Sequence, residues 1–233
     1  MEIRTYKRAT GELPEMECTK QLVRLIGDVY EPGMSVLDVG CAGGHYFHGL
    51  KRVDPNVRYY GVDATERYID FASRHFANVP NASFSREDIF KLPADFSEQF
   101  DIVYCCNVLL HLPSAKVPIH NLVRAASRYV IIRTLIADRT HLSKFLYADT
   151  FDEEGNPTDF VHQNTYSRDL IRAHVAEVGD YQVEFLADQF EADQIVREHR
   201  DYSDSQSAVT HVADGKQIAG SKVFEWEWLK ITK

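Results

Sequence analysis

The fold is decided by the stretch MSVLDVGCAGG at residues 34–44. A short apolar run that ends in an acid and enters a glycine-rich loop is typical of a buried strand leading into a tight turn. Glycine lets the backbone approach a ligand closely. A helix predicted from His45 to about Val53 would offer its first N–H groups to an anion. The stretch therefore predicts the first strand and binding loop of an α/β sheet.

The same strand-and-helix unit recurs along the chain. Residues 57–63 are rich in aromatic and β-branched side chains and predict a second strand, and Thr65 is placed to cap a helix over 66–77. Further strands are predicted at 82–88, 100–108 and 129–136, with a helix between the last two that runs to about Ser127. Because parallel neighbours need a crossover helix, this alternation favours a doubly wound parallel sheet with helices on both faces.

The two ends of the chain depart from this alternation. Apolar positions at helical spacing predict a helix within 15–31, and residues 138–166 lack a strong period. Ser167 is placed to cap a helix that Gly179 ends. Two last strands are predicted at about 181–188 and 222–231, and Asp214-Gly215 between them is placed to close a small hairpin.

Three aspartates lie at the ends of three successive predicted strands. Asp38, Asp63 and Asp88 are spaced 25 residues apart. A lone aspartate is more often a helix cap or a turn residue. Ligands of open parallel sheets bind beyond the carboxyl ends of the strands, however, so three acids there favour one shared cleft. Because a carboxylate after the second strand can accept from both hydroxyls of a ribose, the pattern predicts a nucleoside-containing cofactor.

Two common nucleotide motifs are absent from the sequence. The dinucleotide fingerprint G-x-G-x-x-G fails because Gly40 is followed at the required offsets by Ala42 and His45. No G-x-x-x-x-G-K-[ST] phosphate loop occurs either. The cofactor is therefore not expected to be a dinucleotide or a nucleoside triphosphate.

The chain resembles the class I S-adenosylmethionine-dependent methyltransferases. The four motifs that carry the resemblance lie in order at 36–44, 60–64, 87–89 and 100–112. Ala42 stands where the family pattern D-x-G-x-G-x-G has its second glycine. The resemblance is close over 34–137 and loose in the tail. It implies a Rossmann-like doubly wound α/β sheet of seven strands with the last antiparallel.

The resemblance also implies how the methionine end of S-adenosylmethionine (SAM), or of the product S-adenosylhomocysteine (SAH), is held. Asp38 and the loop backbone would hold this end, and the loop residues are Gly40, Cys41, Ala42 and Gly44. Cys106 and Asn107 lie where the family offers backbone carbonyls to the ammonium group of the cofactor.

The nucleoside end would lie at the next two strand ends. The resemblance implies that Asp63 binds the ribose hydroxyls and that Ala64 lies near the adenine. Asp88 and the backbone of Ile89 would contact the adenine amine and ring edge.

His111 is the candidate general base. Imidazole titrates near neutral pH, and His111 follows the fourth strand beside the expected acceptor pocket. The alternative is a histidine hydrogen-bonded in the loop before Pro113. His45, Tyr46 and His48 either face the cofactor or belong to a surface helix.

The irregular segment 138–166 falls where this family often builds its acceptor pocket. Its polar residues, Asp138, His141, His162 and Asn164, are by default solvated loop residues. No H-x-x-x-H or H-E-x-x-H pairing occurs, so no metal is predicted.

The charge of the chain disfavours polyanionic partners. Lys and Arg number 26 against 35 Asp and Glu, a net charge of −9, which disfavours nucleic acid and an anionic membrane surface. Phe224, Trp226 and Trp228 alternate on one face of the final strand, a pattern of sheet burial rather than of a platform for stacking bases.

The sequence predicts a cytoplasmic protein. It contains no apolar stretch of 18 residues, and its first residues lack the apolar core of a signal peptide. The four cysteines, Cys18, Cys41, Cys105 and Cys106, lack metal-ligand spacing and are expected to be reduced and structural.

The predicted function is SAM-dependent methyl transfer to a small-molecule acceptor, with a hydroxyl of a sugar or secondary metabolite favoured. The alternative is a non-catalytic SAM-binding partner or regulatory subunit with the same fold. The chain is expected to form one domain over 1–233. Its parts would be an N-terminal helical segment, a cofactor-binding half and two substrate-side insertions, at 1–33, 34–137, 138–166 and 191–221. The acceptor, the methylated atom and the oligomeric state remain open.

Overall fold

The computed structural model describes residues 2–146, 148–190, 211–214, 216–219 and 222–233. In these ranges the helices are α1 (Glu2–Ala9), α2 (Glu17–Gly27), α3 (Phe47–Leu50), α4 (Glu66–His75), α5 (Lys116–Ala125) and α6 (Arg168–Ala176). The strands are β1 (Ser35–Val39), β2 (Arg58–Asp63), β3 (Ala82–Arg86), β4 (Phe100–Cys106), β5 (Ala126–Ala137), β6 (Lys144–Leu146), β7 (Phe160–His162), β8 (Tyr166–Ser167), β9 (Gln182–Ala187), β10 (His211–Ala213), β11 (Lys216–Ala219), β12 (Lys222–Phe224) and β13 (Trp226–Thr232).

The main sheet has the strand order β3-β2-β1-β4-β5-β13-β9. Strands β1 to β5 run parallel to one another, and β13 is antiparallel to both β5 and β9. The short β8 pairs with the end of β5 beside this path. The predicted doubly wound sheet of seven strands with an antiparallel last strand is confirmed. Its order reverses between β1 and β4, which places the binding crevice beyond the carboxyl ends of these two strands.

Alternation along β1 separates two cores. Leu37 and Val39 belong to the cluster under α5 and α6, whereas Val36 belongs to the cluster under α2, α3 and α4. All three side chains are buried. Both faces of the sheet are therefore covered by helices, as predicted, which explains why its central strands read as apolar runs.

The helix predicted from His45 to about Val53 is much shorter than expected. Only the four residues of α3 are helical, with turns on either side. Gly49 lies in this helix and disfavours its extension. A Cβ at Gly49 would lie 3.0 Å from Cγ2 of Thr19 on α2, so the glycine permits close packing of the two helices. No long helix therefore stands behind the glycine loop, so the predicted length of this helix is wrong, whereas the anion site at its N-terminus stays a prediction.

The predicted helix caps have two different outcomes. Ser167 is the N-cap of α6, and its hydroxyl accepts a hydrogen bond from the N–H of Leu170 at 3.3 Å. Thr65 occupies the N-cap position of α4, but its side chain makes no capping bond. The carboxylate of Asp63 instead accepts from the N–H of Thr65 at 2.8 Å. This bond fixes the residue before the helix and does not satisfy an N–H of α4 itself.

The chain after β5 doubles back on itself. Strands β6 and β7 pair antiparallel, and an isolated bridge joins His141 to Thr165 nearer the sheet. Strands of three residues are too short to produce a period in the sequence, which is why 138–166 looks irregular. Segment 191–221 falls largely outside the described residues. Strands β10 and β11 pair around Asp214, whereas its predicted hairpin partner Gly215 is itself outside them.

Candidate functional site

The three predicted aspartates meet at one edge of the sheet in three different environments. Asp63 is the last residue of β2, and Asp88 lies two residues beyond β3. Asp38 lies inside β1, one residue before its end. Asp88 is exposed, Asp63 is half-buried and Asp38 is completely buried. The three acids share a position at strand ends but differ in burial, and therefore differ in the chemistry that they can perform.

Asp63 joins β2 to the glycine loop. One carboxylate oxygen accepts from the N–H of Ala42 at 3.0 Å, and the other accepts from the N–H of Thr65 at 2.8 Å. These two bonds fix the orientation of the carboxylate. Each oxygen keeps a second lone pair, so the group can accept two further hydrogen bonds from a ligand.

The glycine loop contains three residues with positive φ. The values are 84° for Gly40, 47° for Ala42 and 78° for Gly44. This conformation is ordinary for glycine but costs an alanine roughly 1 kcal/mol or more. Ala42, which departs from the glycine of the family pattern, nevertheless adopts the conformation a glycine would have there. Its hydrogen bond to Asp63 helps to hold it.

The loop touches the turn that follows β4. A Cβ at Gly40 would lie 2.3 Å from Cγ2 of Val108, so only glycine fits. Cys41 is buried, and burial raises the pKa of its thiol well above the usual value. Cys41 therefore acts as an apolar spacer in the loop, not as a nucleophile.

Asp88 and Ile89 form the edge of the site beyond β3. The carboxylate of Asp88 accepts from the N–H of Phe90 at 2.9 Å and caps a single 3-10 turn. The carbonyl of Ile89 accepts from the side-chain amide of Asn121 at 2.8 Å, and its side chain is buried. Ala64 is exposed between this edge and Asp63.

Asp38 faces the covered interior of the sheet. Its Oδ2 accepts from the hydroxyl of Tyr59 at 2.7 Å, and Tyr104 on β4 lies against the same carboxyl group. Burial raises the pKa of Asp38 to about 7, although both tyrosine hydroxyls favour its ionised form. With no exposed surface, this side chain supports the loop from below.

Cys106 and Asn107 form the turn after β4. Cys106 is buried as the last residue of the strand. Asn107 has a φ of 61°, the left-handed region, and its N–H donates to the carbonyl of Arg133 at 3.0 Å. Its side-chain amide lies 3.4 Å from the hydroxyl of Tyr46.

The sequence analysis did not identify Arg133 and Asp188 as site residues. Arg133 lies in β5 beside Cys106, and its guanidinium donates to both carboxylate oxygens of Asp188 at 2.8 and 2.6 Å. A third bond, of 2.5 Å, reaches Oδ1 of Asn107. The available signal was an arginine within the apolar run 129–136, because a charge on a buried strand needs a partner.

His111 ends the 3-10 turn that follows β4. Its Nδ1 lies 2.9 Å from the carbonyl oxygen of His162 and donates to it. This bond selects the tautomer in which Nε2 carries the lone pair. His111 keeps an exposed edge. Burial of the rest of the ring lowers the pKa of His111, the hydrogen bond to His162 opposes this, and the positive charge of Lys222 adds to it, so that the pKa lies below its ordinary value. The imidazole is therefore neutral at pH 7 and able to accept a proton.

A cleft of about 510 Å³ opens beyond the carboxyl end of β5. It is lined by Ile136, Ala137, His141, Ser143, Thr165, Lys222, Val223 and Glu225. Lys222 donates to the carbonyl of Gln163, and burial lowers the pKa of its amine. Segment 138–166, predicted to lie on the substrate side, contributes His141, Ser143 and Thr165, whereas the predicted segment 191–221 contributes none of the described lining residues.

The remaining polar candidates have structural contacts. Asn164 is completely buried, and its amide donates to the carbonyl of Leu112 at 2.8 Å and accepts from the N–H of Ser143 at 3.0 Å. Asp138 is exposed. His48 bonds the carbonyl of Ala9 at 2.6 Å.

Tyr46 and His45 lie below the glycine loop. The ring of Tyr46 is buried under α2, where its hydroxyl lies 3.6 Å from the sulfur of Cys18. Burial lowers the pKa of His45 to about 3, so its imidazole is neutral. Neither residue lies on an exposed face of a surface helix, which was one of the two interpretations of the sequence.

The described residues contain neither a metal-binding cluster nor a membrane-spanning helix. No group of three or more His, Cys, Asp or Glu side chains there could hold a metal ion. No helix in the same part of the chain is long and apolar enough to cross a membrane.

Comparison with known proteins gives the family. A family model described as a methyltransferase domain matches residues 30–200. The ubiquinone biosynthesis O-methyltransferase of Coxiella burnetii is 37% identical over 90 residues, which are 38% of this chain and 37% of that one. The mitochondrial enzyme of that name in Saccharomyces cerevisiae is 35% identical over 81 residues, 35% of this chain and 26% of its own. The matches thus span little more than a third of these relatives at most.

Solved structures share the fold at low identity. The magnesium protoporphyrin IX methyltransferase of Synechocystis PCC 6803 with bound SAM has a TM-score of 0.54 and 16% identity over 99% of this chain and 90% of that one. The cyclase SpnF has a TM-score of 0.61 and 15% identity over 92% and 81%. With the family model covering most of the chain, the chain belongs to the methyltransferase domain family, which confirms the predicted methyltransferase class, and its fold is shared with an enzyme crystallised with SAM.

Proposed function

We propose that this enzyme methylates a hydroxyl group of a small molecule, with His111 as the general base. When bound, SAM supplies a methyl group already activated by its sulfonium, so the protein needs to align the acceptor and remove one proton. Nε2 of His111 would accept the hydroxyl proton when the acceptor oxygen takes the methyl group from SAM. The product of the cofactor is SAH.

The observation that carries the proposal is the hydrogen bonding of His111. Its Nδ1 is committed to the carbonyl of His162, so the lone pair is on Nε2 whenever the ring is neutral. Lys222 and partial burial keep it neutral by lowering its pKa. Lys222, whose charge acts on His111, also lines the cleft beyond β5, which connects the imidazole to the proposed acceptor site.

The residues at the strand ends fit the cofactor. Asp63 is held by two backbone N–H groups with lone pairs to spare, which suits two neighbouring ribose hydroxyls. Asp88 and Ala64 are exposed next to it, where the adenine would lie. The backbone of Gly40 and the turn at Asn107 would hold the methionine end. Asp38 would act by supporting Gly40, because its own carboxyl group is completely buried.

A hydroxyl acceptor is also supported by the relatives. Both named relatives are O-methyltransferases. The cleft beyond β5 contains the hydroxyls of Ser143 and Thr165 and the amine of Lys222. These groups can orient a polar small molecule, whereas the net charge of −9 disfavours nucleic acid.

The test is a screen for methylated products. The purified enzyme is incubated with SAM and pools of small molecules that carry hydroxyl, amine or carboxyl groups, and mass spectrometry detects the gain of one methyl group. We expect products methylated on oxygen, and none with Asp63→Ala. Products methylated only on nitrogen or carbon, or no product from any pool despite cofactor binding, would contradict the hydroxyl assignment.

A further inference from the structure

We propose that Arg133 is a positioning residue that holds Asn107 in the left-handed conformation required by the cofactor site. The inference rests on the proposed contact between the turn at residues 106–108 and the methionine end of SAM. Arg133 itself is not a catalytic residue, since it acts through Asn107.

Arg133 forms two hydrogen bonds with Asn107. The carbonyl of Arg133 accepts from the backbone N–H of Asn107 at 3.0 Å, and its guanidinium donates to Oδ1 of the same residue at 2.5 Å. Asn107 has a φ of 61°. Asparagine tolerates this region better than most residues, but its alternatives remain lower in energy without a local restraint. The two bonds supply that restraint.

The guanidinium is itself immobilised by an ion pair and by a stacked aromatic ring. Asp188 accepts from it at 2.8 and 2.6 Å, with the two side chains only 7% and 5% exposed. Trp228 donates from its indole N–H to the same carboxylate at 3.0 Å. The ring of Trp226 lies with its centroid 4.1 Å from the guanidinium carbon. Such a paired and stacked arginine has one available orientation.

Helix α2 fixes the other end of this network. The side-chain amide of Gln21 donates to the carbonyl of Ala187 at 3.0 Å and accepts from the N–H of Gln189 at 2.8 Å. These two contacts bracket Asp188. The position of the carboxylate, and hence of Arg133, is therefore set by the packing of the N-terminal helix on the sheet.

The turn at residues 106–108 packs directly against the glycine loop. Val108 follows Asn107, and its Cγ2 would lie 2.3 Å from a Cβ placed on Gly40. Rotation at Asn107 would therefore move Val108 against or away from the loop. This contact gives Arg133 a route to the cofactor site through Asn107 and Val108.

The test is a double-mutant cycle on SAH affinity, measured by isothermal titration calorimetry. Arg133→Met is combined with Asp188→Asn, because removal of the arginine alone would leave a buried unpaired charge. We expect this pair to weaken SAH binding about tenfold in the wild-type background. In the Asn107→Gly background the loss should fall below about threefold, because no side chain remains there to be held. Equal losses in both backgrounds would overturn the proposal.

Two further measurements keep the proposal testable. If the pair of substitutions prevents folding, as judged by circular dichroism, Asn107→Gly is compared with Asn107→Ala. Both remove the amide, but only glycine adopts the left-handed region freely, so the alanine variant should bind SAH about fivefold more weakly. Equal affinities would contradict a role for that conformation.

The matched control removes another arginine–carboxylate pair. Arg168 donates to both oxygens of Glu227 on β13, away from Asn107. Arg168→Met with Glu227→Gln should leave SAH affinity unchanged. Absence of SAH binding by the wild-type protein would contradict the cofactor site itself, whereas wild-type binding with an additive cycle would contradict only the role of Arg133.

Discussion

The proposed cofactor edge, around Asp63 and the glycine loop 40–44, and the proposed acceptor cleft beyond β5 are built by different means. At the cofactor edge, side chains bond mainly to backbone, as Asp63 does to Ala42 and Thr65. At the acceptor cleft, short strands carry partly exposed side chains, and Leu142 and Phe145 beside it are 66% and 50% exposed. The first region fixes a geometry, and the second displays chemical groups on loops that tolerate change.

This difference matches the tasks of the two regions. A site that binds one cofactor needs fixed backbone positions. Acceptors differ among methyltransferases, and side chains on loops can change without disturbing the sheet. Substitutions at the cofactor edge should therefore alter SAH affinity, and those at the acceptor cleft should alter turnover.

The largest expected effect separates the two regions at His111. Loss of a general base typically lowers a rate roughly 10²–10⁴-fold, so His111→Ala should lower kcat by that order once an acceptor is identified. SAH affinity should change less than about twofold, because the cofactor edge is untouched. The exposed His75 at the end of α4 provides the control, and His75→Ala should alter neither quantity. Parallel losses of kcat and SAH affinity would mean that His111 is structural.

Asp38 should make stability depend on pH. Its pKa rises from 3.8 to about 7 on folding, so the folded protein binds more protons than the unfolded chain between these values. Stability is thus lost as pH rises through this window. Asp38→Asn should remove the dependence, with a gain over wild type of up to about 4 kcal/mol above pH 7. Urea unfolding between pH 4 and 8 measures it.

The control for this measurement is the exposed Asp70 on α4. Asp70→Asn should follow the wild-type curve. Parallel curves for wild type and Asp38→Asn would show that Asp38 keeps an ordinary pKa in the folded protein.

Asp63→Ala should weaken SAH binding about a hundredfold. Its carboxylate would contribute two charge-assisted hydrogen bonds to the ribose, and its loss also releases the strained Ala42. Calorimetry measures the change, with Asp70→Ala as the control on the neighbouring helix. Unchanged affinity for Asp63→Ala would remove Asp63 from the cofactor site.

The smallest expected effect concerns the acid limb of the pH–rate profile. His111 must lose its proton to act, so kcat should fall as pH drops through its lowered pKa. Lys222→Met removes a positive charge that lowers this pKa, so the acid limb should move to higher pH. Lys230→Met breaks the ion pair that joins Lys230 on β13 to Glu184 on β9. This variant should leave the acid limb in place. A limb that does not move in Lys222→Met would separate this lysine from His111.

The sheet and the cofactor could be predicted from the sequence because both depend on local patterns. Residues 34–44 encode a strand and a loop, and the repeated alternation of strand and helix specifies parallel neighbours. Spacing alone, however, could not show that Asp38 is buried. Its neighbours Tyr59 and Tyr104 come from two other strands, and only the register brings them against it.

The parts that sequence reasoning missed depend on contacts between distant residues. Arg133 on β5 and Asp188 just after β9 are 55 residues apart in the sequence. Only the strand order β5-β13-β9 brings the arginine side chain within reach of the carboxylate. Gly49, which disfavours extension of the helix after the glycine loop, is in close contact with α2. Strands β6 and β7 have three residues each, too few for a recognisable period.

The most direct test titrates SAH into the wild-type protein, Asp63→Ala and His111→Ala, with NAD as a control ligand. We predict micromolar binding by the wild type and by His111→Ala, a severe loss in Asp63→Ala, and no binding of NAD. Equal affinity in all three proteins, or binding of NAD in place of SAH, would contradict the division between cofactor edge and acceptor cleft.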